Sequence, residues 1–82
     1  MKIEVLGTGC AKCKKLERLV QTVVAELGVD AEITKVERVE QIITYGVAFT
    51  PALVVDGTVK CSGGIPRGEQ IAAWLREAQA GK

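Results

Sequence analysis

The sequence predicts an α/β fold, a four-stranded mixed sheet flanked by helices, with its elements in the order β-α-β-α-β-β-α. Three observations predict it. Short segments of alternating polar and apolar residues are typical of strands. Between them lie segments whose apolar residues recur at spacings of three and four, which is typical of amphipathic helices. An Asp-Gly pair between two apolar runs predicts a β-hairpin in the second half of the chain.

The first half of the chain predicts a strand, a long helix and a second strand. Residues 2–6 (KIEVL) alternate polar and apolar and end at Gly7. From Cys13 an apolar stripe continues at helical spacing as far as Gly28, which is placed to end the helix. Residues 31–36 (AEITKV) alternate again. Because a strand, helix, strand unit crosses over right-handed, its two strands are expected to be parallel.

The second half predicts a short helix, a hairpin and a last helix. Residues 39–45 (VEQIITY) carry one apolar face and end at a glycine. Residues 52–55 (ALVV) and 58–62 (TVKCS) are expected to pair antiparallel through the Asp56-Gly57 turn. Pro66 is placed in the first turn of a final helix. The residues expected on its buried side are Ile71, Trp74, Leu75 and Ala78.

Length and composition indicate one domain over residues 1–82, without internal repeats or linkers. Eleven Lys and Arg against ten Asp and Glu give a net charge of +1, so neither a nucleic acid nor a membrane surface is expected as a partner. The first apolar run contains an acidic residue, and no window is long and apolar enough to span a membrane. We therefore expect a cytoplasmic protein.

The segment GTGCAKCKK, residues 7–15, places two cysteines three positions apart between a glycine-flanked turn and a helix. In a cytosolic chain this spacing favours redox chemistry or metal binding over a structural disulfide framework. The chain has no histidine and three cysteines, which excludes imidazole catalysis, mixed Cys/His zinc sites and a closed zinc site with four ligands. No metal site is expected, although a soft-metal carrier stays open as an alternative function.

The helix start gives the two cysteines different expected environments. Cys10 is placed beside unsatisfied backbone N-H groups at the positive end of the helix dipole, which favours the thiolate. Cys13 falls one turn later on the apolar stripe, so Cys10 is expected to be exposed and Cys13 half-buried. Lys12, together with Lys14 and Lys15, would lower the proton affinity of a neighbouring thiol. The alternative is that these lysines form an ordinary solvated helix face.

Two segments, GTGCAKC at residues 7–13 and GVAFTPALVVDG at residues 46–57, resemble the small thioredoxin-like redox-active disulfide proteins, which have a minimal thioredoxin/glutaredoxin fold. The resemblance covers essentially the whole chain. It implies a thiol-disulfide oxidoreductase without a cofactor, acting as an electron carrier on disulfide-containing client proteins. Cys10 would attack and Cys13 would resolve the mixed disulfide. A flavoprotein of the thioredoxin-reductase type would be the reductant, and the protein would be a monomer.

The resemblance also assigns roles outside the cysteine pair. Pro51 would follow a cis peptide bond facing the disulfide, and Thr50 and Pro51 would pair with the backbone of the substrate. Glu4 lies six residues before Cys10, where thioredoxins carry a buried acid that handles protons for the second cysteine. The preferred interpretation of Glu4 is nevertheless the polar side of an edge-like strand, because Lys2 shares its face.

Other features separate the alternatives. Cys61 shares a strand face with Val59 by simple alternation, so it is interpreted as a core residue rather than a third redox or metal-binding thiol. Soft-metal carriers of ferredoxin-like fold also place a Cys-x-x-Cys at the first helix, but they end in a strand and carry a methionine where this chain has Thr8. The pair between the cysteines, Ala11-Lys12, contains no proline, so no redox potential is carried over from thioredoxin or glutaredoxin. Gly63-Gly64 with Glu69 only loosely resembles a glutathione site, and glutathione is not expected as the obligatory reductant.

Overall fold

A computed structural model describes residues 1–9 and 11–80 and has the element order that the sequence predicts. The four strands are β1 (Lys2–Leu6), β2 (Glu32–Val36), β3 (Ala52–Val55) and β4 (Thr58–Ser62). The three helices are α1 (Ala11–Leu27), α2 (Val39–Thr44) and α3 (Gly68–Ala80). The last helix begins two residues after Pro66, which therefore precedes it rather than lying in its first turn. Within the described ranges, no helix combines the length and apolar character needed to cross a membrane.

The sheet is mixed, as predicted, with its strands in the order β2-β1-β3-β4. Strand β1 pairs parallel with β2 and antiparallel with β3, and β3 pairs antiparallel with β4. Leu6, the last residue of β1, pairs with Val36 at the end of β2 and with Ala52 at the start of β3. The segments that follow β1 and precede β3 therefore meet at one end of the sheet, which we call the upper end.

Helices cover both faces of the sheet. On one face, α1 and α3 bury a larger aliphatic core with alternate residues of β1 and β3. On the other face, α2 contributes Ile42 to a smaller core. The larger core contains Ile3, Val5, Leu16, Val20, Val23, Leu53, Val55, Ile71 and Leu75, and the smaller one contains Leu6, Val36, Ile42, Ala52 and Val54. Successive side chains along a strand point to opposite faces of the sheet, so alternate residues of each strand belong to different cores.

The position of β1 corrects the interpretation of Glu4. Strand β1 lies between β2 and β3, so it is not edge-like, and the side chain of Glu4 is only 9% exposed. Glu4 pairs with Val54, whose side chain belongs to the smaller core, and it therefore points toward the α2 face. Lys2 shares that face but lies exposed at the start of the strand. The exposure of Lys2 therefore does not predict the burial of Glu4, although the two side chains share a face.

A β-bulge in β4 changes the predicted face of Cys61 relative to Val59, although Cys61 does pack against the core as predicted. Leu53 pairs with Cys61, whereas the next residue Val54 pairs with Val59, so Lys60 is the extra residue. Because Leu53 and Val54 point to opposite faces, Cys61 and Val59 do too. Cys61 packs at the margin of the larger core and is half-buried, while Val59 is exposed on the other side. The two residues do not share a face.

Candidate active site

The site is built around the first turn of α1, where Cys13 is the third residue of the helix. Its side chain is only 6% exposed, so it is more deeply buried than the half-buried position expected from the apolar stripe. The reason is Gly7, at the upper end of the sheet. A Cβ atom on Gly7 would overlap the Sγ of Cys13. Gly7 is held in place by its own N-H, which donates to the carbonyl oxygen of Val36 at 2.9 Å.

Gly7 is therefore a site residue that the sequence reasoning missed. The sequence pattern predicts it only as the residue that ends a strand. A glycine directly after a strand can also mark the close approach of another chain segment, and that signal was available in the sequence. Here the absent side chain leaves the space that the sulfur of Cys13 occupies.

Cys10, the predicted attacking residue, lies outside the described residues, and its expected exposure stays a prediction. Its neighbours are described. Gly9 has a φ of 88°, a conformation that favours glycine, and Ala11 is the first residue of α1. Both are exposed.

Thr50 and Pro51 lie at the same upper end of the sheet. The peptide bond between them is cis, as expected for Pro51. Ala52 pairs with Leu6, so the next residues outward, Pro51 and Gly7, leave the sheet side by side. Pro51 is buried and Thr50 is exposed. The fold thus brings the Thr50-Pro51 segment next to the glycine against which Cys13 packs.

Gly63 contacts both Pro51 and Phe49. The N-H of Gly63 donates to the carbonyl oxygen of Pro51 at 2.9 Å. Gly63 has a φ of 81°, and a Cβ atom on it would come within 3.0 Å of the Cβ of Phe49. Phe49 is 69% exposed although its side chain is a large apolar ring. The sequence reasoning did not single out Phe49.

Glu4 has a partner that lies 41 positions away in the sequence, the phenol of Tyr45, which donates a hydrogen bond to its carboxylate. This hydrogen bond is the main reason that the pKa of Tyr45 lies above its ordinary value, with burial and the charge of Glu4 adding to the rise. The pair lies on the face covered by α2, whereas Cys13 belongs to the helix that covers the other face. The structure therefore associates Glu4 with Tyr45 rather than with α1.

Charged side chains border Cys13 on the side of β2. A shallow cleft beside it is lined by Val5, Gly7, Gly9, Cys13, Lys14, Glu17, Lys35 and Glu37. Lys35 lies between two of the acids, with its Nζ 3.4 Å from Glu17 and 3.9 Å from Glu37. Lys35 and Lys14 together offset the two acids along this cleft, while Lys12 is exposed on the helix.

Cys61 is separate from this group. Burial raises the pKa of its thiol, and a hydrogen bond with the backbone of Leu53 offsets part of the rise. Within residues 1–9 and 11–80, no three cysteine or acidic side chains are grouped in a way that would hold a metal ion.

Comparison with known proteins identifies a common family. A family model for the thioredoxin domain matches residues 1–76. A thioredoxin of Methanothermobacter thermautotrophicus is 44% identical over 71 residues, which are 87% of this chain and 92% of that protein. A thioredoxin of Methanocaldococcus jannaschii is 40% identical over 80 residues, which are 98% of this chain and 92% of that protein.

A solved structure shows the same fold. Thioredoxin 1 of the thermophilic eubacterium Thermosipho africanus superposes with a TM-score of 0.55 over 96% of this chain and 99% of its own. The two sequences are 19% identical in this comparison, so the superposition speaks to the fold alone.

Proposed function

Because the chain belongs to the thioredoxin family and is a thiol-disulfide oxidoreductase, we propose that Cys10 and Cys13 are the two cysteines that carry the reaction. The observation that supports the pair most strongly is the position of Cys13, buried in the first turn of α1 against Gly7 and three residues after Cys10. Residues three apart at a helix start are close enough for their sulfurs to bond.

The reaction proceeds in two exchanges. The Cys10 thiolate attacks one sulfur of a client disulfide, forms a mixed disulfide and releases the other client sulfur as a thiolate that takes up a proton. Cys13 then loses its proton and attacks Cys10 in the mixed disulfide, which releases the second client thiol. Two electrons pass to the client, and the protein is left with a Cys10–Cys13 disulfide.

The burial of Cys13 supports the proposed order of the two steps. With 6% of its side chain exposed, Cys13 is hidden from the disulfide of a large client. The second step needs no such access, because the sulfur that it attacks is already attached three residues away. This difference supports Cys10 as the attacking residue and Cys13 as the resolving one.

Thr50 and Pro51 supply the substrate-binding edge in this proposal. They lie beside Gly7 at the upper end of the sheet, and Thr50 is exposed. An extended client segment could pair with the backbone at Thr50 in the manner of an added strand. This would align the client sulfur with Cys10.

Two further residues would modulate the reaction. Lys12 is exposed next to the cysteine pair, and its charge would stabilise the Cys10 thiolate. Glu4, whose carboxylate accepts from Tyr45 on the α2 face, would influence Cys13 only through its charge across β1.

The clients are disulfide-containing proteins. A thioredoxin-reductase-type flavoprotein is proposed to return electrons to the oxidised protein. We further propose a cytoplasmic monomer that consists of one domain over residues 1–82 and uses no cofactor. The soft-metal carrier alternative does not fit, because those carriers have a β-α-β-β-α-β fold and this chain has the order β-α-β-α-β-β-α.

A redox titration with peptide mapping tests the proposal. The protein is equilibrated in dithiothreitol buffers of graded potential, alkylated in urea so that buried thiols react, digested and analysed by mass spectrometry. We expect one reversible two-electron transition that links Cys10 with Cys13 and leaves Cys61 alkylated throughout. A dominant disulfide from Cys61 to either of the other cysteines would refute the proposed site.

A further inference from the structure

The surface at the start of α1 carries an unbalanced group of positive charges, which we call the lysine patch: Lys12, Lys14 and Lys15. All three are exposed in the first two turns of the helix. None of the three makes an ion pair with another residue in the described part of the chain. Because a helix rises about 1.5 Å per residue, their backbone positions lie within about 6 Å of the helix start.

The stability of α1 does not account for this arrangement. Its first turn contains no acidic residue and its last turn no basic one. The helix dipole favours the opposite order, by about 0.3 to 1 kcal/mol for each charge. The patch therefore stands where it weakens the helix and where the proposed reaction takes place.

Lys35 provides a comparison at the same end of the molecule. Its ammonium group lies between Glu17 and Glu37, so its charge is balanced locally. Lys14 lines the same cleft as Glu17 and Glu37 but makes no ion pair with either, and Lys12 and Lys15 are exposed, so the patch presents most of its charge to solvent.

Acidic residues gather at the opposite end of the sheet, around the start of β1. Lys2 pairs with Glu32 in the sheet register, and its N-H donates to the carboxylate of Asp56 at 2.8 Å. The amino terminus lies 3.5 Å from the carbonyl oxygen of Asp30 in the same region. Lys2 and the amino terminus offset most of the acidic charge at this end, whereas the lysine patch and Lys35 outnumber Glu17 and Glu37 at the other end, so the excess positive charge lies near the cysteine pair.

We propose that the lysine patch is a docking surface for acidic client segments, in which Asp or Glu residues flank the disulfide cysteine. The proposal rests on the function proposed above and names the class of client for that site. The acidic side chains lie along the start of α1 while the client sulfur meets Cys10. Unpaired charges of one sign beside a reactive group raise the encounter rate with partners of opposite charge, and salt screens the effect.

The test compares three peptide disulfides of equal length, in which the central cysteine is flanked by glutamates, glutamines or lysines. Each is mixed with the fully reduced protein, and the release of reduced peptide is followed in a single turnover. Every rate is divided by the rate with tris(hydroxypropyl)phosphine, a reductant whose attacking form is uncharged, which corrects for the intrinsic reactivity of each peptide. At low ionic strength we expect the glutamate peptide to react about 10-fold faster than the glutamine peptide, and the lysine peptide to be slowest. In about 1 M salt, where the Debye length is about 3 Å, the rates should converge.

Variants locate the effect. In Lys14→Gln/Lys15→Gln the ratio of the glutamate rate to the glutamine rate should fall toward one, whereas Lys12 is kept because it would also tune the thiol. The matched control is Lys2→Gln, which removes an exposed lysine at the other end of β1 and should leave the ratio unchanged. Equal rates for the three peptides in the unmodified protein, or a preference that survives in the double variant, would overturn the docking surface while leaving the oxidoreductase function intact. If none of the peptides were reduced, the proposed function would fail and the docking surface with it.

Discussion

The sulfur of Cys13 occupies the space where Gly7 lacks a side chain. This contact joins the end of β1 to the first turn of α1, and it explains why Cys13 is buried although it lies near the tip of a helix. Because Gly7 and Pro51 lie side by side at the upper end of the sheet, the contact also brings the proposed resolving cysteine near Pro51.

Replacing Gly7 with alanine should disturb both the fold and the reaction. The added methyl group would overlap the sulfur of Cys13. Because Gly7 is fixed at the end of a central strand, the side chain of Cys13 must move. We expect a loss of about 1 to 3 kcal/mol in the free energy of unfolding of the reduced protein, measured in urea. The mixed disulfide formed by Cys10 should also persist longer, since the resolving sulfur is displaced.

Gly64→Ala is the matched control for this variant. No atom lies within 4 Å of a Cβ at Gly64, and its φ is not in the left-handed region. Its stability should change by less than about 1 kcal/mol. If Gly7→Ala and Gly64→Ala had the same stability and the same rate of resolution, the packing account of Cys13 would be wrong.

Tyr45→Phe should reveal the energetic role of the buried Glu4. The substitution keeps the ring and removes the hydroxyl that donates to the Glu4 carboxylate. A buried acceptor that loses its partner costs about 1 to 3 kcal/mol, so the variant should unfold at lower urea at neutral pH. Adding Glu4→Gln to this variant replaces the unpaired carboxylate with an uncharged amide and should recover part of the lost stability. Unchanged stability in Tyr45→Phe would contradict the hydrogen bond.

The same pair predicts how stability changes at high pH. Because the pKa of Tyr45 is raised in the folded protein, the folded state keeps a phenol proton that the unfolded state releases above about pH 10. This contribution to stability is fully present below pH 10 and is lost as the pH rises through the folded-state pKa. The unmodified protein should therefore lose more stability between pH 9 and pH 11 than Tyr45→Phe does, by urea unfolding in matched buffers. Parallel pH curves would show that Tyr45 does not contribute.

Cys61 should react slowly with alkylating reagents. Its raised pKa lowers the fraction of thiolate at neutral pH, and the side chain is half-buried. At pH 7 its modification by iodoacetamide should be several-fold slower in the folded protein than in urea, as followed by peptide mass spectrometry. Cys61→Ala should keep the reversible disulfide of the other two cysteines. Equal alkylation rates in folded and unfolded protein would contradict this environment.

The order of the elements could be predicted from the sequence because each depends on local patterns. Asp56-Gly57 predicted the hairpin, and both residues adopt the positive φ values, 48° and 83°, that such a turn requires. The sequence order of strands does not reveal their order in the sheet. Glu4 was therefore interpreted as lying on an edge-like strand, although β1 is central. The alternation rule failed at Cys61 because Lys60 inserts an extra residue into β4.

The site was predictable to a similar extent. The spacing of the cysteines and the helix start placed Cys13 in the first turn of α1, and the resemblance identified the Thr50-Pro51 segment. The contacts that organise the site join residues distant in sequence, such as Tyr45 with Glu4. Their partners depend on how the layers pack, which no local pattern encodes.

Trapping of the reaction intermediate tests the central claim most directly. In Cys13→Ser, attack by Cys10 still occurs but no sulfur resolves the product, so a mixed disulfide with a peptide or client should accumulate, visible on a non-reducing gel. In Cys10→Ser, the remaining Cys13 is buried and no such complex should form. Cys61→Ser serves as the control and should turn over without trapping. Accumulation of the complex in Cys10→Ser and its absence in Cys13→Ser would contradict the assignment of the two cysteines.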